Sequence, residues 1–370
     1  MNIALMSVAD IQNYGDLLFP FIARREISRR IPNAVFRFFT PTGTVLENER
    51  FYEYSRHNLA EFRPDAILAI GGEIIHKYDK EVWQDMYHGA VATPSNVVFD
   101  WINTENCFKS WFSVGALDLG SHPSEITDEE LNQLDFIGVR GILSKKILEH
   151  KQMLVHNTKI NIVPDIGWIF PRCFQDYKSV LKQLSRENDF DIRPGKYFVF
   201  NINWTSINKD EILPVMHFMR SFAKERGIKM VVINAIESYV DLPVDIQEFC
   251  DDNILFLRHL SLKQTGALLV GARFFIGSSL HCAITTLASG NPAGVIHATP
   301  LTKMQDLFGH MMMTDLLSTD WNDLESIMMH LFNFSNAERS VLKQYVLFMQ
   351  RKFDVAMDNL ACQMLQQVNS

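Results

Sequence analysis

Cysteine is scarce in this chain. The five residues, Cys107, Cys173, Cys250, Cys282 and Cys362, are scattered and odd in number, and no Cys-x-x-Cys pair occurs among them. Neither a disulfide framework nor a zinc ribbon is therefore expected, and a reducing cytoplasm suits the chain. Positive charge is also short: 35 Lys plus Arg stand against 43 Asp plus Glu, for a net charge of −8. That balance argues against a broad phosphate-neutralising surface of the kind that holds nucleic acid. An anionic ligand would need a local pocket of positive potential. No apolar run approaches the ~18 to 20 residues of a membrane span. The opening Met1 to Val8 lacks the basic head of a signal peptide and is expected to be a buried first strand. No His, Asp or Glu grouping has metal-ligand spacing, so no protein-held metal is expected. Repeats and low-complexity tracts are missing as well.

What remains is a composition that folds. Hydrophobic residues make up 47% of the 370 positions and charged ones 21%, with 27 Phe to fill a core. Chains longer than about 250 to 300 residues tend to divide that core, which favours two domains here. Short β-branched or aromatic runs alternate with longer helix-period segments, the pattern of parallel strands joined by helical crossovers. In the first half the expected strands are Ile3–Val8, Val35–Phe39, Ala66–Gly71, Val97–Trp101, Trp111–Ala116, Phe136–Val139 and Ile160–Val163. The second half restarts at Tyr197–Ile202 and continues with Met230–Asn234, Ile254–Leu257, Phe274–Gly277 and Ala293–Ile296. The polar stretch 185–195, ending in Pro-Gly, suits a domain boundary. Ser335 to Glu338 has capping-box spacing, and Leu342, Tyr345, Met349, Phe353, Met357, Leu360 and Met364 follow at helical period, predicting a long terminal helix. The expected fold is thus α/β: two Rossmann-like domains over residues 1–185 and 190–334, facing a central cleft, and a helix over 335–370 that either caps the second domain or packs back on the first.

Ligands of open α/β sheets sit beyond the carboxyl ends of the strands, and four such ends are unusual here. Gln12-Asn-Tyr-Gly-Asp16 precedes a helical pattern, with Asp16 either a cap or an acid/base group. Ile70-Gly-Gly-Glu73 is either a tight turn or a place where a ligand approaches the backbone, with Glu73 expected on the next helix. Arg140 ends the apolar strand at Phe136, where it either holds a phosphate or carboxylate bidentately or forms a structural ion pair, for instance with Asp165. Gly277-Ser-Ser-Leu-His281 delivers small hydroxyl residues and free backbone N–H groups to a helix start, an anion site. His281 in its first turn is either satisfied structure or a proton carrier near neutral pH.

Taken in order, Asn13-Tyr-Gly-Asp16, Ile70-Gly-Gly72, Gly138-Val-Arg140 with Ser144, Pro164-Asp165, Gly277-Ser-Ser-Leu-His281, Gly290-Asn-Pro292 and the downstream Lys303 resemble the polysaccharide pyruvyl transferase family, over about residues 10 to 310. The resemblance implies a two-domain fold similar to GT-B glycosyltransferases. It also implies transfer of the enolpyruvyl portion of phosphoenolpyruvate onto sugar hydroxyls as a pyruvate ketal, with release of phosphate. No cofactor is implied, since phosphoenolpyruvate is the donor substrate. The acceptor is a polysaccharide or its lipid-linked precursor, which places a cytoplasmic protein at the inner face of the membrane where the acceptor is lipid-linked. Three positions depart from the family's habit. Glu73 stands where a third glycine is common, Ser279 where many members carry arginine, and Gly141 where an acidic residue is common. Fewer cations would then hold the donor, or the donor differs.

Ketal formation needs an acid and an anion clamp. The candidate roles are His281 as acid, Arg140 as clamp, and Asp16 as base or positioner of the sugar hydroxyl. Gly277, Ser278, Ser279 and Lys303 join Arg140 in holding the donor on the 190–334 side. On the acceptor side, 1–185, Asn13, Gly71, Gly72, Glu73 and Asp165 orient the sugar. Trp83, Tyr87, Trp101 and Trp111 either stack on sugar rings or fill the core. Two alternatives stand beside this reading: a nucleotide-sugar-dependent glycosyltransferase, and a glycan-binding relative without catalysis.

Overall fold

The computed structural model describes residues 1–10, 12–75, 92, 94–103, 106–116, 128–150, 160–202, 206–235, 246–298 and 302–368. They group into two compact units, one of residues 1–11, 16–166 and 349–370, the other of 12–15 and 167–348.

The first unit is built on an eight-stranded sheet in the order β3-β4-β2-β1-β5-β6-β7-β8. Its strands are β1 (Asn2–Met6), β2 (Val35–Thr40), β3 (Thr44–Leu46), β4 (Glu49–Glu53), β5 (Ala66–Ile70), β6 (Phe108–Val114), β7 (Phe136–Val139) and β8 (Ile160–Ile162). All neighbours run parallel except β3 and β4. Every residue of β5 and β6 is buried, which is why β5 reads as a continuous rather than an alternating apolar run, whereas β6 also buries Lys109, Ser110 and Ser113. The chain leaves β1 towards β2, then crosses back to β5. The direction of winding therefore reverses between β1 and β5, and the loops after these two strands diverge into a crevice at their carboxyl ends.

Two readings of the sequence are corrected here. Val97–Trp101 is not a strand: Pro94–Phe99 is a helix. Pro94 opens it with a φ already suited to a helix, and the Trp101 indole N–H donates to the Val97 carbonyl at 2.7 Å. Because Val97, Val98, Phe99, Trp101 and Ile102 are all buried, their apolar run is the same as that of a core strand. The hairpin β3–β4 was not foreseen. Its turn is Glu47-Asn48 with φ of 53° and 62°, a left-handed pair that matches strand twist, joining the short β3 (Thr-Val-Leu) to the charged β4 (Glu-Arg-Phe-Tyr-Glu) at the sheet edge. Trp101 and Trp111 belong to the core of this unit, at 0% exposure each; Trp83 and Tyr87 lie outside the described residues.

The second unit carries a six-stranded parallel sheet in the order β11-β10-β9-β12-β13-β14. The strands are β9 (Tyr197–Asn201), β10 (Lys229–Ile233), β11 (Ile254–Leu257), β12 (Phe275–Gly277), β13 (Ala293–Ile296) and the short β14 (Leu317–Ser318), the last not anticipated. Here the winding reverses between β9 and β12.

The terminal helix spans Asn336–Val368. Its start is the capping box read from the sequence: the Ser335 N–H donates to Glu338 Oε2 at 2.7 Å and the Glu338 N–H to Ser335 Oγ at 3.2 Å. Residues to Phe348 pack within the second unit and residues from Met349 within the first. Tyr345 meets Trp168 edge to face, whereas Phe353 meets Phe112 and Asp354 and Asp358 pair with Arg30.

Candidate functional site

In the second unit, the reversal point holds the Gly277–His281 segment. A side chain at Gly277 would begin 2.1 Å from the Asn201 carbonyl oxygen, so only glycine lets β12 end this close to β9. The Ser278 N–H donates to that carbonyl at 3.1 Å, and the Asn201 side-chain amide donates to the Ile233 carbonyl at 3.1 Å, tying three strand ends together. Ser279 caps the next helix, Leu280–Ala288: its Oγ accepts from the Cys282 N–H at 3.4 Å. Cys282 itself is fully buried and its thiol is pushed up to about 12 by burial, which makes it an inert filler.

His281 is the second residue of that helix, half-buried, and its ring lies on Gly15. A methyl group at Gly15 would stand 2.1 Å from the His281 Nδ1. The segment before it is anchored in the same unit. Gln12 donates to the Leu260 carbonyl at 3.0 Å, the Tyr14 N–H donates to the Ala235 carbonyl at 2.9 Å, and the buried Tyr14 hydroxyl shares a 2.9 Å bond with Thr285 Oγ1. Burial raises the Tyr14 phenol well above its ordinary value, so it stays protonated. Asn13 Oδ1 accepts from the Gly15 N–H at 3.0 Å at the start of the helix Tyr14–Arg30. This capping bond comes from Asn13; Asp16 is the third helical residue and half-buried. The Asn-Tyr-Gly motif, starting at Asn13, and the Gly-Ser-Ser-Leu-His motif, starting 264 positions later at Gly277, are thus one platform. Lys303, also half-buried, lies near the start of the helix Thr302–His310 in this unit.

The first unit holds a second constellation at its own row of strand ends. Gly71 and Gly72 take φ of +62° and +75° after β5, and a side chain at Gly71 would collide with the Phe19 ring at 2.2 Å. Glu73 is not on a helix as expected. It lies in the loop that runs on to Ile75, whose N–H donates to the Gly115 carbonyl at 3.1 Å, while the Gly115 N–H donates to the Gly72 carbonyl at 2.7 Å. Arg140, at the end of β7, reaches back over Gly115 at the end of β6. Its guanidinium lies where a Gly115 side chain would be, 2.6 Å from that position to Nη2. There Nη2 stands 3.3 Å from Glu73 Oε1 and Nη1 stands 3.6 Å from Asp165 Oδ2, with side-chain exposures of only 5%, 12% and 6% for Arg140, Glu73 and Asp165. None of the three guanidinium nitrogens has a hydrogen-bond partner among the described residues. Ser113, with φ of 59°, holds the Asp165 loop: its Oγ donates to the Pro164 carbonyl at 3.0 Å and accepts from the Ile166 N–H at 3.1 Å. Ser144 Oγ accepts from the Ala116 N–H at 3.2 Å, closing the same region. The structure thus gathers Gly71, Gly72, Glu73, Arg140 and Asp165 in the first unit, and Asn13, Gly277, Ser278, Ser279 and His281 in the second.

Sequence reading missed Gly115 and Asp10. Gly115 had a signal, a glycine at a strand end. Asp10 follows β1 and is 7% exposed, its Oδ2 accepting from the Thr42 N–H at 3.0 Å and hydroxyl at 2.9 Å. Burial pushes its carboxyl up to about 6. Nothing in the run Val8-Ala9-Asp10 marks it as buried. Among the described residues no group of His, Cys, Asp and Glu is arranged to hold a metal ion, and no helix is long and apolar enough to cross a membrane.

Solved structures share the architecture. UDP-GlcNAc 2-epimerase from Neisseria meningitidis matches with a TM-score of 0.61 and 10% identity, over 99% of this chain and 100% of its own. The corresponding epimerase from Rickettsia bellii matches at 0.58 and 12%, over 95% and 96%. The wall teichoic acid polymerase TagF matches at 0.56 and 11%, over 100% and 88%. These likenesses establish a GT-B-type fold. Among curated proteins none matches the chain. The polysaccharide pyruvyl transferase family model matches residues 13–296, from the start of the Asn13 platform through β13. The protein is a member of the polysaccharide pyruvyl transferase family.

Proposed function

We propose that the protein moves a pyruvyl group from phosphoenolpyruvate to the hydroxyls of a sugar, in a polysaccharide or its lipid-linked precursor, forming a ketal and releasing phosphate. The observation that carries this reading is the His281 platform: a helix start capped by Ser279 at the reversal point of a parallel sheet, and an imidazole seated on Gly15 beside it. Such a helix start suits a phosphate. Lys303 is assigned as a further donor to it, compensating in part for the absence of arginine at position 279.

In the proposed reaction His281 gives a proton to the methylene carbon of the donor, which becomes a methyl group, and positive charge develops at C2. A sugar hydroxyl attacks C2 and loses its proton to Asp16, the residue after Gly15. A second hydroxyl of the same sugar then attacks C2 as its bond to the phosphate oxygen breaks, returning a proton to His281; phosphate leaves towards the Gly277–Ser279 segment, and Asp16 gives its proton to the departing phosphate or to water. The reaction closes on the side chains and the two substrates, with no cofactor. A lipid-linked acceptor would bring the protein to the cytoplasmic face of a membrane by peripheral contact.

A nucleotide-sugar donor would set its diphosphate at the same helix start. Phosphate release from phosphoenolpyruvate across a panel of free and lipid-linked glycans separates the two. Consumption with at least one glycan is expected; tight binding of a uridine or guanosine diphosphate sugar with no consumption of phosphoenolpyruvate would reverse the choice.

A further inference from the structure

Three arginines gather at the amino end of the second sheet, the end opposite the His281 platform. Arg226 closes the helix Lys209–Arg226 ahead of β10, Arg273 stands two residues before β12, and Arg339 is in the first turn of the terminal helix. Two aromatic side chains collect them. The Phe332 ring carries the Arg273 guanidinium at 4.2 Å from its centroid and that of Arg226 at 5.7 Å, while Arg339 lies 5.7 Å from the Phe334 centroid. Two charges over one ring are at most about 10 Å apart, within the screening length of ~0.1 M salt. Burial, and after it the charge of Arg273, lowers the Arg339 guanidinium below its ordinary value, with Glu338 opposing.

Like charges held together in this way call for a counter-anion. Among the described residues none of the three arginines forms an ion pair with a carboxylate. Arg273 donates to the Phe332 carbonyl at 2.9 Å, and Arg226 to the Met329 sulfur at 3.3 Å, a weak acceptor. Glu338, next to Arg339, is engaged by His330 and by the Ser335 N–H at 2.7 Å each. Residues 224–230, 270–275 and 324–340, which carry all of these groups, belong throughout to the described structure. A guanidinium held by its face keeps in-plane N–H donors for the oxygens of an anion.

We propose that Arg226, Arg273 and Arg339 form a binding site for an oxyanion of the phosphate class, separate from the reaction site. The arginine fork matches phosphate bidentately, and several forks can share one anion. Bound there, the anion joins the end of the Lys209–Arg226 helix, the turn before β12 and the start of the terminal helix, tying that start to the sheet. From Arg273 the backbone runs about 13 Å along β12 before it reaches Gly277, at ~3.3 Å per residue. The site therefore stands whether or not phosphoenolpyruvate is the donor at the other end.

Titration calorimetry and thermal unfolding of the full chain with inorganic phosphate, against chloride at equal ionic strength, test this in wild type, Arg339→Gln and Arg226→Gln. A phosphate at Gly277–Ser279 contributes equally to all three proteins, so the difference between them reads the arginine site. Phosphate should raise the wild-type unfolding temperature, and each variant should bind it about tenfold more weakly at this site. Without phosphate at low salt, Arg339→Gln should unfold at or above the wild-type temperature, because a like charge is gone; consumption of phosphoenolpyruvate should match wild type. Sedimentation with phosphatidylglycerol vesicles separates the sources of the anion. Vesicle binding that is lost in the variants, with no response to free phosphate, assigns the site to a lipid headgroup; the reverse assigns it to a soluble phosphate. A phosphate response of equal size in all three proteins would overturn the proposal, as would none in wild type in either arm.

Discussion

His281 and Gly15 explain one another. An imidazole seated on backbone requires a residue without Cβ beneath it, and a glycine in the first turn of a helix is costly unless something needs the space. Replacing Gly15 by Ala places a methyl carbon 2.1 Å from Nδ1 and must displace the ring. We expect turnover to fall about 100-fold, as for a catalytic group misplaced by ~1 Å. The accompanying stability loss should be about 1 to 3 kcal/mol, typical of overpacking. Turnover kinetics beside thermal unfolding check this, and full activity in Gly15→Ala would detach the ring's position from catalysis. Asp10 makes an independent prediction. Its folded carboxyl titrates at about 6 against an ordinary 3.8, so the folded state holds the proton more tightly and stability falls as pH rises across that window. Asp10→Asn can still accept both Thr42 bonds and has no charge to desolvate. It should be more stable than wild type at neutral pH, by about 2 kcal/mol. Thermal midpoints from pH ~4 to 7 should slope less in the variant; parallel slopes would remove Asp10 from the account.

At the scale of elements, the terminal helix is held at its start by a local device. Ser335→Ala removes the oxygen that accepts from the Glu338 N–H and should cost about 1 kcal/mol, read by chemical denaturation. A loss under a few tenths would mean that packing alone sets the helix start. Glu338 also bonds His330 at 2.7 Å, and the hydrogen bonds from Ser335, with that from His330, hold its carboxyl down to about 2. Its contribution is complete above 4.5, the ordinary value, and is lost as pH falls towards 2. This helix was legible in the sequence because capping spacing and a buried stripe at Leu342, Phe353, Met357, Leu360 and Met364 agreed. Most strands were legible too, since buried parallel strands are uninterrupted apolar runs. Pro94–Phe99 was not, because the buried run Val97-Val98-Phe99 in its last turn looks the same as a strand. The β3–β4 hairpin was not, because strands of three and five residues are too short to show an apolar period. Strand ends such as Gly277 and Arg140 could be picked out by residue type, and Asp165 was named as a partner for Arg140, but Glu73 beside the same guanidinium depends on which strands neighbour which, and sheet order is not written in local pattern.

At the scale of the whole molecule, the chain repeats one architectural idea twice. Each sheet reverses its winding once, between β1 and β5 in one unit and between β9 and β12 in the other, and each candidate constellation includes the loops at a reversal. The two differ in charge. The second unit offers helix-start amides, hydroxyls and His281; the first offers one guanidinium inside two carboxylates. With a net charge of −8, the chain as a whole does not attract a small anion, so under the proposed reaction attraction would rest on those few fixed donors. The most direct measurement is phosphate release from phosphoenolpyruvate with a competent glycan, in wild type and His281→Gln. The account predicts steady release by wild type and a fall of about 100- to 10,000-fold in a variant that unfolds at the wild-type temperature. Equal release by both proteins would contradict it.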